Sequence, residues 1–131
     1  MRVCDAASDR GIRKAAVAQV YVKPGTGEHY VNGIPYVDYF PNITQRAAFV
    51  DPFLAINRIG EFDVWASVKG GGFTGQSGAI RLGIARALQK FDPSFRPGLR
   101  KGGYLTVDNR KVERKKPGRK KARKLKQWVK R

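Results

Sequence analysis

The sequence predicts an α+β domain, an open mixed sheet covered by helices, carrying a basic C-terminal tail. Three observations lead there. Apolar and polar residues alternate over Ala16 to Val22 and again over Phe62 to Val68, the two-residue period of a strand with one buried face. Ile80, Gly83, Ile84, Ala87, Leu88 and Phe91 recur at three- and four-residue steps, the stripe of a helix lying on a core. The order of strands, helices, strand and helix fits a sheet with helices laid over it better than a doubly wound domain.

The elements follow in chain order. Ala16, Ala18, Val20 and Val22 share one face of the first strand, and Pro24-Gly25-Thr26-Gly27 stops it. A second short strand runs from His29 to Asn32 and ends at Asn32-Gly33, so a hairpin is the simplest connection between the two. Between Tyr36 and Ile56 the residues Phe40, Ile43, Ala47, Ala48 and Val50 fit helical spacing, divided by Pro41 and Pro52 into short helices. The strand from Phe62 to Val68 has the clearest alternation in the chain, and it runs into glycines. Ser77 to Phe91 is the long helix; its apolar members face the core, while Arg81 and Arg86 on the other face remain free for phosphates.

Charge divides the chain into two regimes. The 131 residues carry a formal net charge of +17, from 27 Lys and Arg against 10 Asp and Glu, a balance that calls for a polyanion. Residues 1 to 105 hold 14 basic and 8 acidic side chains, whereas residues 106 to 131 hold 13 basic and 2 acidic. The expected organisation is an N-terminal extension over 1–11, a globular RNA-binding domain over 12–105 and an extended basic tail over 106–131. From Glu113 to Lys124 only Pro117 and Ala122 are apolar. Nothing there offsets an ordering cost of roughly 1 to 2 kcal/mol per residue, so this tail is not expected to fold alone.

Several function classes fall away. The sequence has no run of 18 apolar residues and no apolar signal core at its start, so a soluble, intracellular protein without a membrane partner is expected. Cys4 and His29 are the only residues of their kinds, which excludes an intrachain disulfide and a Cys/His zinc site. No cofactor is expected. The tail lacks the apolar face of a membrane-binding helix.

Gly70-Gly71-Gly72-Phe73-Thr74-Gly75-Gln76-Ser77 joins the second alternating strand to the long helix. Glycines let backbone approach a ligand closely, and the amides of a helix start, with the Thr74 and Ser77 hydroxyls and with Lys69 and Arg81 nearby, favour a phosphate. A nucleotide and an RNA backbone offer the same group. The pattern G-x-x-x-x-G-K-S/T is absent, which rules out a Walker-type loop. A phosphotransferase would also need a placed carboxylate and a second lobe for its substrate. The ten carboxylates are scattered, so no small-molecule substrate and no enzyme activity are expected.

The segment from Val68 through Lys69, the three glycines and the helix to Leu88 resembles the central signature of small-subunit ribosomal protein nine, of bacterial type. Arg13-Lys14, Lys23-Pro24-Gly25-Thr26-Gly27, Tyr39-Phe40-Pro41, Leu99-Arg100-Lys101-Gly102-Gly103-Tyr104-Leu105-Thr106 and Val112 to Gly118 resemble further family segments in the same order. Together they cover nearly everything after Arg10. The resemblance implies a four-stranded mixed sheet backed by two helices, as in the second domain of ribosomal protein five, with a left-handed crossover. It implies a place in the head of the small subunit, with the 3′ domain of the small-subunit rRNA and other head proteins as partners. The rRNA-binding residues it implies are Arg13, Lys14, Lys69, Gly70, Gly71, Gly72, Thr74, Gln76, Arg81, Arg100 and Lys101. In the tail they are Arg114, Lys115, Lys116, Arg119, Lys120, Lys121, Arg123, Lys124 and Lys126.

The terminal basic residues of the family point at the tRNA in the peptidyl site, and here that role falls on Lys130 and Arg131, with Trp128 beside them. Most bacterial members end Gln-Phe-Ser-Lys-Arg, whereas this chain ends Gln127-Trp128-Val129-Lys130-Arg131. Val129 therefore removes a hydroxyl, and Trp128 keeps an aromatic ring for stacking on a base or for packing on protein. Gln19 stands where an arginine is common and Leu82 where a histidine is. The ending and Tyr39-Phe40-Pro41 are similar to plant-type mitochondrial members, which implies a mitochondrial ribosome, with bacterial cytoplasm or a plastid ribosome as the alternatives. No Arg- and Ser-rich transit segment is visible before Ala6.

Overall fold

The computed structural model describes residues 7–108, 110–111 and 113–124. Cys4, Val112, Lys126, Trp128, Val129, Lys130 and Arg131 lie outside the described residues. Five strands form one mixed sheet: β1 (Ala7–Arg13), β2 (Ala16–Pro24), β3 (His29–Val31), β4 (Ile34–Pro35) and β5 (Phe62–Lys69), in the order β1-β2-β5-β3-β4. The α+β class is as expected. A fifth strand replaces the expected four, two of the five being only three and two residues long.

The expected hairpin between β2 and β3 does not exist. β5 lies between them, antiparallel to β2 and parallel to β3. β2 and β5 are the two long alternating strands, and pairing them from Val17↔Lys69 to Pro24↔Phe62 makes the longest ladder open to either. The residues read as a hairpin turn instead carry the chain across the start of β5. Asp63 holds them there: its Oδ1 accepts from the amides of Thr26, Gly27 and Glu28 at 3.0, 2.9 and 2.9 Å. Asn32 continues the β3–β5 ladder with its side chain, Oδ1 accepting from Val68 N at 2.9 Å and Nδ2 donating to Val68 O at 3.3 Å.

β1 pairs with β2 along its whole length, from Ala7↔Val22 to Arg13↔Ala16. The boundary expected between residues 11 and 12 thus falls inside a strand. Its inward residues Ala7, Asp9, Gly11 and Arg13 include no large apolar side chain, so the strand carries no alternation signal.

The expected short helices between Tyr36 and Ile56 are α1 (Tyr36–Tyr39), α2 (Ile43–Arg46), a 3-10 turn at Ala47–Phe49 and α3 (Asp51–Ala55). Asn42 caps α2, its side chain accepting from Thr44 N at 3.0 Å. α4 (Phe73–Phe91) starts one turn before the expected Ser77, because Phe73 to Gln76 continue the helix without adding to the apolar stripe. A 3-10 turn at Pro93–Phe95 and α5 (Arg96–Lys101) follow. The described residues therefore hold one long helix and four short ones rather than two.

α4 lies across β1 and β2. Ile80, Ile84 and Leu88 are fully buried against Val20, Val22 and Val64, and Phe40, Phe49 and Leu99 close the core from the short helices. Of the expected stripe only Phe91 is substantially exposed, at 37%. No helix of the described residues is long and apolar enough to cross a membrane.

Candidate nucleic-acid interface

The glycine loop is built by its neighbours. Gly70 and Gly71 have φ of 75° and 65°, a region that L side chains rarely adopt. They are also packed: a Cβ on Gly70 would stand 2.7 Å from Ala15 O, and one on Gly71 would stand 3.1 Å from Ala16 N and Cβ. Gly72 differs. It is extended (φ −97°, ψ 178°) and a Cβ there would meet nothing within 4 Å.

Gln76 fastens this loop rather than facing outward. Its Nε2 donates to Gly70 O at 3.1 Å, and its Oε1 accepts from the Tyr39 hydroxyl at 2.8 Å. Ser77 is likewise engaged, Oγ donating to Thr74 O at 2.9 Å. The first backbone bond of α4 runs from Gln76 N to Gly72 O at 2.9 Å, so the amides of Phe73, Thr74 and Gly75 have no acceptor within the helix. No side chain caps this end. It is a start of helix with three donors and a favourable dipole for an anion.

Beside it runs a cleft of about 220 Å³, lined among others by Arg13, Thr44, Gln45, Thr74, Gly78 and Arg81. Arg13 is delivered by the end of β1 and Arg81 by the third turn of α4. Gly78 makes the room, because a Cβ there would collide with Arg13 Cδ and stand 2.7 Å from one of its terminal nitrogens. Arg13 Nε and Gln45 Oε1 are buried without a hydrogen-bond partner among the described residues. Arg13 Nε lies toward the Asp108 carboxylate at 3.5 Å, so this cleft keeps the Gln45 oxygen as its unpartnered acceptor. Arg81 stands 4.0 Å from Asp51, and its guanidinium lies 5.9 Å from the Tyr104 ring.

Arg13 also lines two adjoining clefts, one with Arg81, Tyr104 and Asp108, the other with Lys14, Asp108, Arg110 and Lys111. Asp108 organises this side. Its carboxylate accepts from Arg110 at 2.7 Å and lies 3.5 Å from Arg13 Nε. The Arg110 hydrogen bonds, with Arg13 adding its charge, hold that carboxyl well below the usual range. No local pattern marks Asp108 or Gln45 as part of a site, and Tyr39 enters the sequence reading through the Tyr39-Phe40-Pro41 resemblance and not as a support of the loop. Arg110 and Lys111 open the basic run, and that charge is the sequence signal for them.

A family model described as ribosomal protein S9/S16 matches residues 11–131. The chain belongs to the ribosomal protein S9/S16 family. Small ribosomal subunit protein uS9m of Arabidopsis thaliana is 51% identical over 121 residues, which are 92% of this chain and 28% of that protein. The chain thus spans under a third of the length of that relative.

In this S9/S16 member the remaining expected contacts are spread widely. Lys69 ends β5 and is exposed, opposite Val17. Arg100 and Lys101 are exposed on α5, beside an open hollow shared with Pro93, Arg96 and Pro97. Arg86 is not free: it donates to Arg10 O at 3.0 Å and so fixes β1.

The described part of the S9/S16 tail, residues 106–108, 110–111 and 113–124, contains neither helix nor strand. Pro117-Gly118 makes a turn closed by Arg119 N to Lys116 O at 3.2 Å, and Lys120 N reaches Lys124 O at 2.9 Å. Glu113 gathers it, accepting from Lys116 Nζ and, at 3.1 Å, from Arg123 Nε. Arg114, Lys115, Lys120, Lys121 and Lys124 are exposed.

Proposed function

We propose that this S9/S16 member is a structural, RNA-binding constituent of the small ribosomal subunit, acting without making or breaking a bond. The observation that carries the reading is the Arg13 cleft: two arginines and the uncapped start of α4 converge on one hollow in a chain of the ribosomal S9/S16 family. Arg13, Lys14, Lys69, Arg81, Arg100, Lys101 and the tail cations neutralise rRNA phosphates and the Thr74 hydroxyl donates to one, while Gly70, Gly71 and Gln76 shape the loop that presents the helix amides. Such contacts fix position and register without reading bases.

The finer reading places the domain on the 3′ domain of the rRNA in the head, among other head proteins, with Trp128, Lys130 and Arg131 turned toward the peptidyl-site tRNA. The mitochondrial ribosome is the preferred location, supported by the relationship to uS9m of Arabidopsis thaliana and by the Gln127 to Arg131 ending.

The test is sedimentation of the tagged protein. It should run with small subunits in magnesium and shift when magnesium is removed; tag remaining at the top of the gradient in magnesium would sink the proposal. Deleting Val129, Lys130 and Arg131 tests the tail. Assembly should persist, because the other tail cations stay, while peptidyl-site tRNA weakens by on the order of 1 kcal/mol. Unchanged tRNA affinity in subunits that contain the truncated protein would leave an rRNA-binding role alone.

A further inference from the structure

The sheet has two faces, and α4 covers only one. On the other, the register of β1, β2, β5 and β3 sets side chains in cross-strand rows. Ser8, Tyr21, Trp65 and Tyr30 form one row, Arg10, Gln19 and Ser67 the next, and Ile12, Val17 and Lys69 a third. Tyr21 is 48% exposed and Trp65 38%, and Tyr30 is half-buried. These are large rings on a face that no other element of the described residues packs over. Lys23 comes from the same face of β2, with Nζ 5.5 Å from the centre of the Trp65 ring.

Among the described residues the charges on this face are basic apart from Asp63, with the exposed Glu28 beside it at the edge. The Asp63 carboxylate is occupied by the three amides of the β2–β3 connection. The Arg10 and Lys69 side chains form no ion pair among the described residues. Strands lie about 4.8 Å apart and alternate residues along a strand about 7 Å apart. The aromatic row therefore spans roughly 10 Å, with cations one row away or beside it. That spacing accepts two or three splayed bases on the rings and their phosphates on the lysines and arginine. A protein surface would satisfy the rings equally well, but three cations facing it would call for acidic partners. The chemistry common to the whole face is that of an unpaired nucleic-acid strand.

We propose that this open sheet face is a second RNA surface, on which Tyr21, Trp65 and Tyr30 stack unpaired bases while Arg10, Lys23 and Lys69 hold the adjoining phosphates. It is separate from the Arg13 cleft, which lies on the α4 side of the sheet, and it does not require that the ribosomal reading be right.

The experiment uses the full chain and two labelled oligonucleotides of ten nucleotides, one a single-stranded RNA and one with the same backbone but no bases. Fluorescence anisotropy across a salt series gives both affinities. The tail binds either strand through phosphates, so only a base-dependent preference reports stacking. The native chain should prefer the RNA by roughly tenfold or more. Trp65→Ser and Tyr21→Ser should each remove most of that preference, and Trp65→Phe should keep the larger part. Replacing Lys120 and Lys121 by Ser should weaken both strands alike. A preference absent from the native chain, or unchanged within twofold in the serine variants, overturns the proposal. A photo-cross-linking residue at Tyr21 in cells gives a second readout. An adduct destroyed by ribonuclease supports RNA here; an adduct formed only with protein overturns it.

Discussion

Gly11 lies against the backbone of Ala79, so closely that a Cβ on Gly11 would collide with the Ala79 carbonyl oxygen and stand 2.7 Å from Gly83 N. Gly83 answers from the helix, where a Cβ would stand 2.6 Å from Val20 Cγ2 and 3.3 Å from Gly11 N. β1 and α4 thus meet backbone to backbone. Arg86 and Lys90 then tie the strand to the helix, through Arg10 O at 3.0 Å and Asp9 at 3.3 Å.

Gly11→Ala is therefore expected to destabilise the domain by about 1 to 3 kcal/mol, as overpacking does when backbone must shift. Urea or thermal unfolding reads it, with Tm falling by roughly 5 °C or more. A Tm within 1 °C of the native chain would show that β1 is not seated on α4.

The glycine loop separates support from contact. Gly71→Val should lower stability, because Gly71 has positive φ and packs on Ala16. Gly72→Thr should not, since space is open and threonine serves as well as glycine at a helix N-cap. If RNA approaches the first amides of α4, the added bulk at Gly72 weakens RNA binding while Tm stays put. Native affinity in the Gly72 variant would show that the helix start is not a contact.

Gly78→Ala tests where Arg13 must lie. Alanine is the better helix former by about 1 kcal/mol, but its Cβ would take the place of Arg13 Cδ. Stability should change little and RNA binding should fall, with the log-log salt slope shallower by about 0.7 to 0.9 for one lost phosphate contact. Arg13→Gln should give the same slope. Different slopes in the two variants would separate the fault from Arg13.

His29 makes stability depend on pH. Its ring stacks on Phe53 at 5.7 Å and meets Tyr36 edge-on at 5.4 Å, and its Nδ1 is buried without a partner among the described residues. Burial pushes its pKa below the ordinary 6.5, with Asp63 acting the other way. The unfolded chain then binds the proton more readily, so stability is full above about pH 6.5 and is lost as pH falls through the folded value. His29→Phe should flatten this limb of a stability–pH curve and leave stability at pH 8 nearly unchanged. Asp63 shifts downward too: burial opposes, but the Glu28, Gly27 and Thr26 amides and the Lys23 charge outweigh it. Its limb lies lower, below about pH 4, and should survive in the His29 variant. An unaltered curve from pH 7 to 5 in His29→Phe would clear His29 of the effect.

By itself the sequence determined what local periodicity and composition can encode. The alternation of β2 and β5, the stripe of α4, the basic tail and the loop that precedes a helix are all written in consecutive residues. The resemblance through Lys69 to Leu88 carried the family as well. Tertiary structure alone decided the rest. β1 is silent in sequence because its inward positions are Ala7, Asp9, Gly11 and Arg13, and small residues mark a close approach only when the opposing backbone is known. The β2–β3 turn reads as a hairpin because turn residues say that the chain bends, not which strand it bends around; Asp63, more than thirty residues away, settles that. Gln76 and Arg86 look like open donors on a helix surface until Gly70 O and Arg10 O are found within reach. Arg13 and Arg81 become one site for the same reason. Their meeting depends on the space over Gly78, and contacts between distant segments are fixed by packing, which no local pattern records.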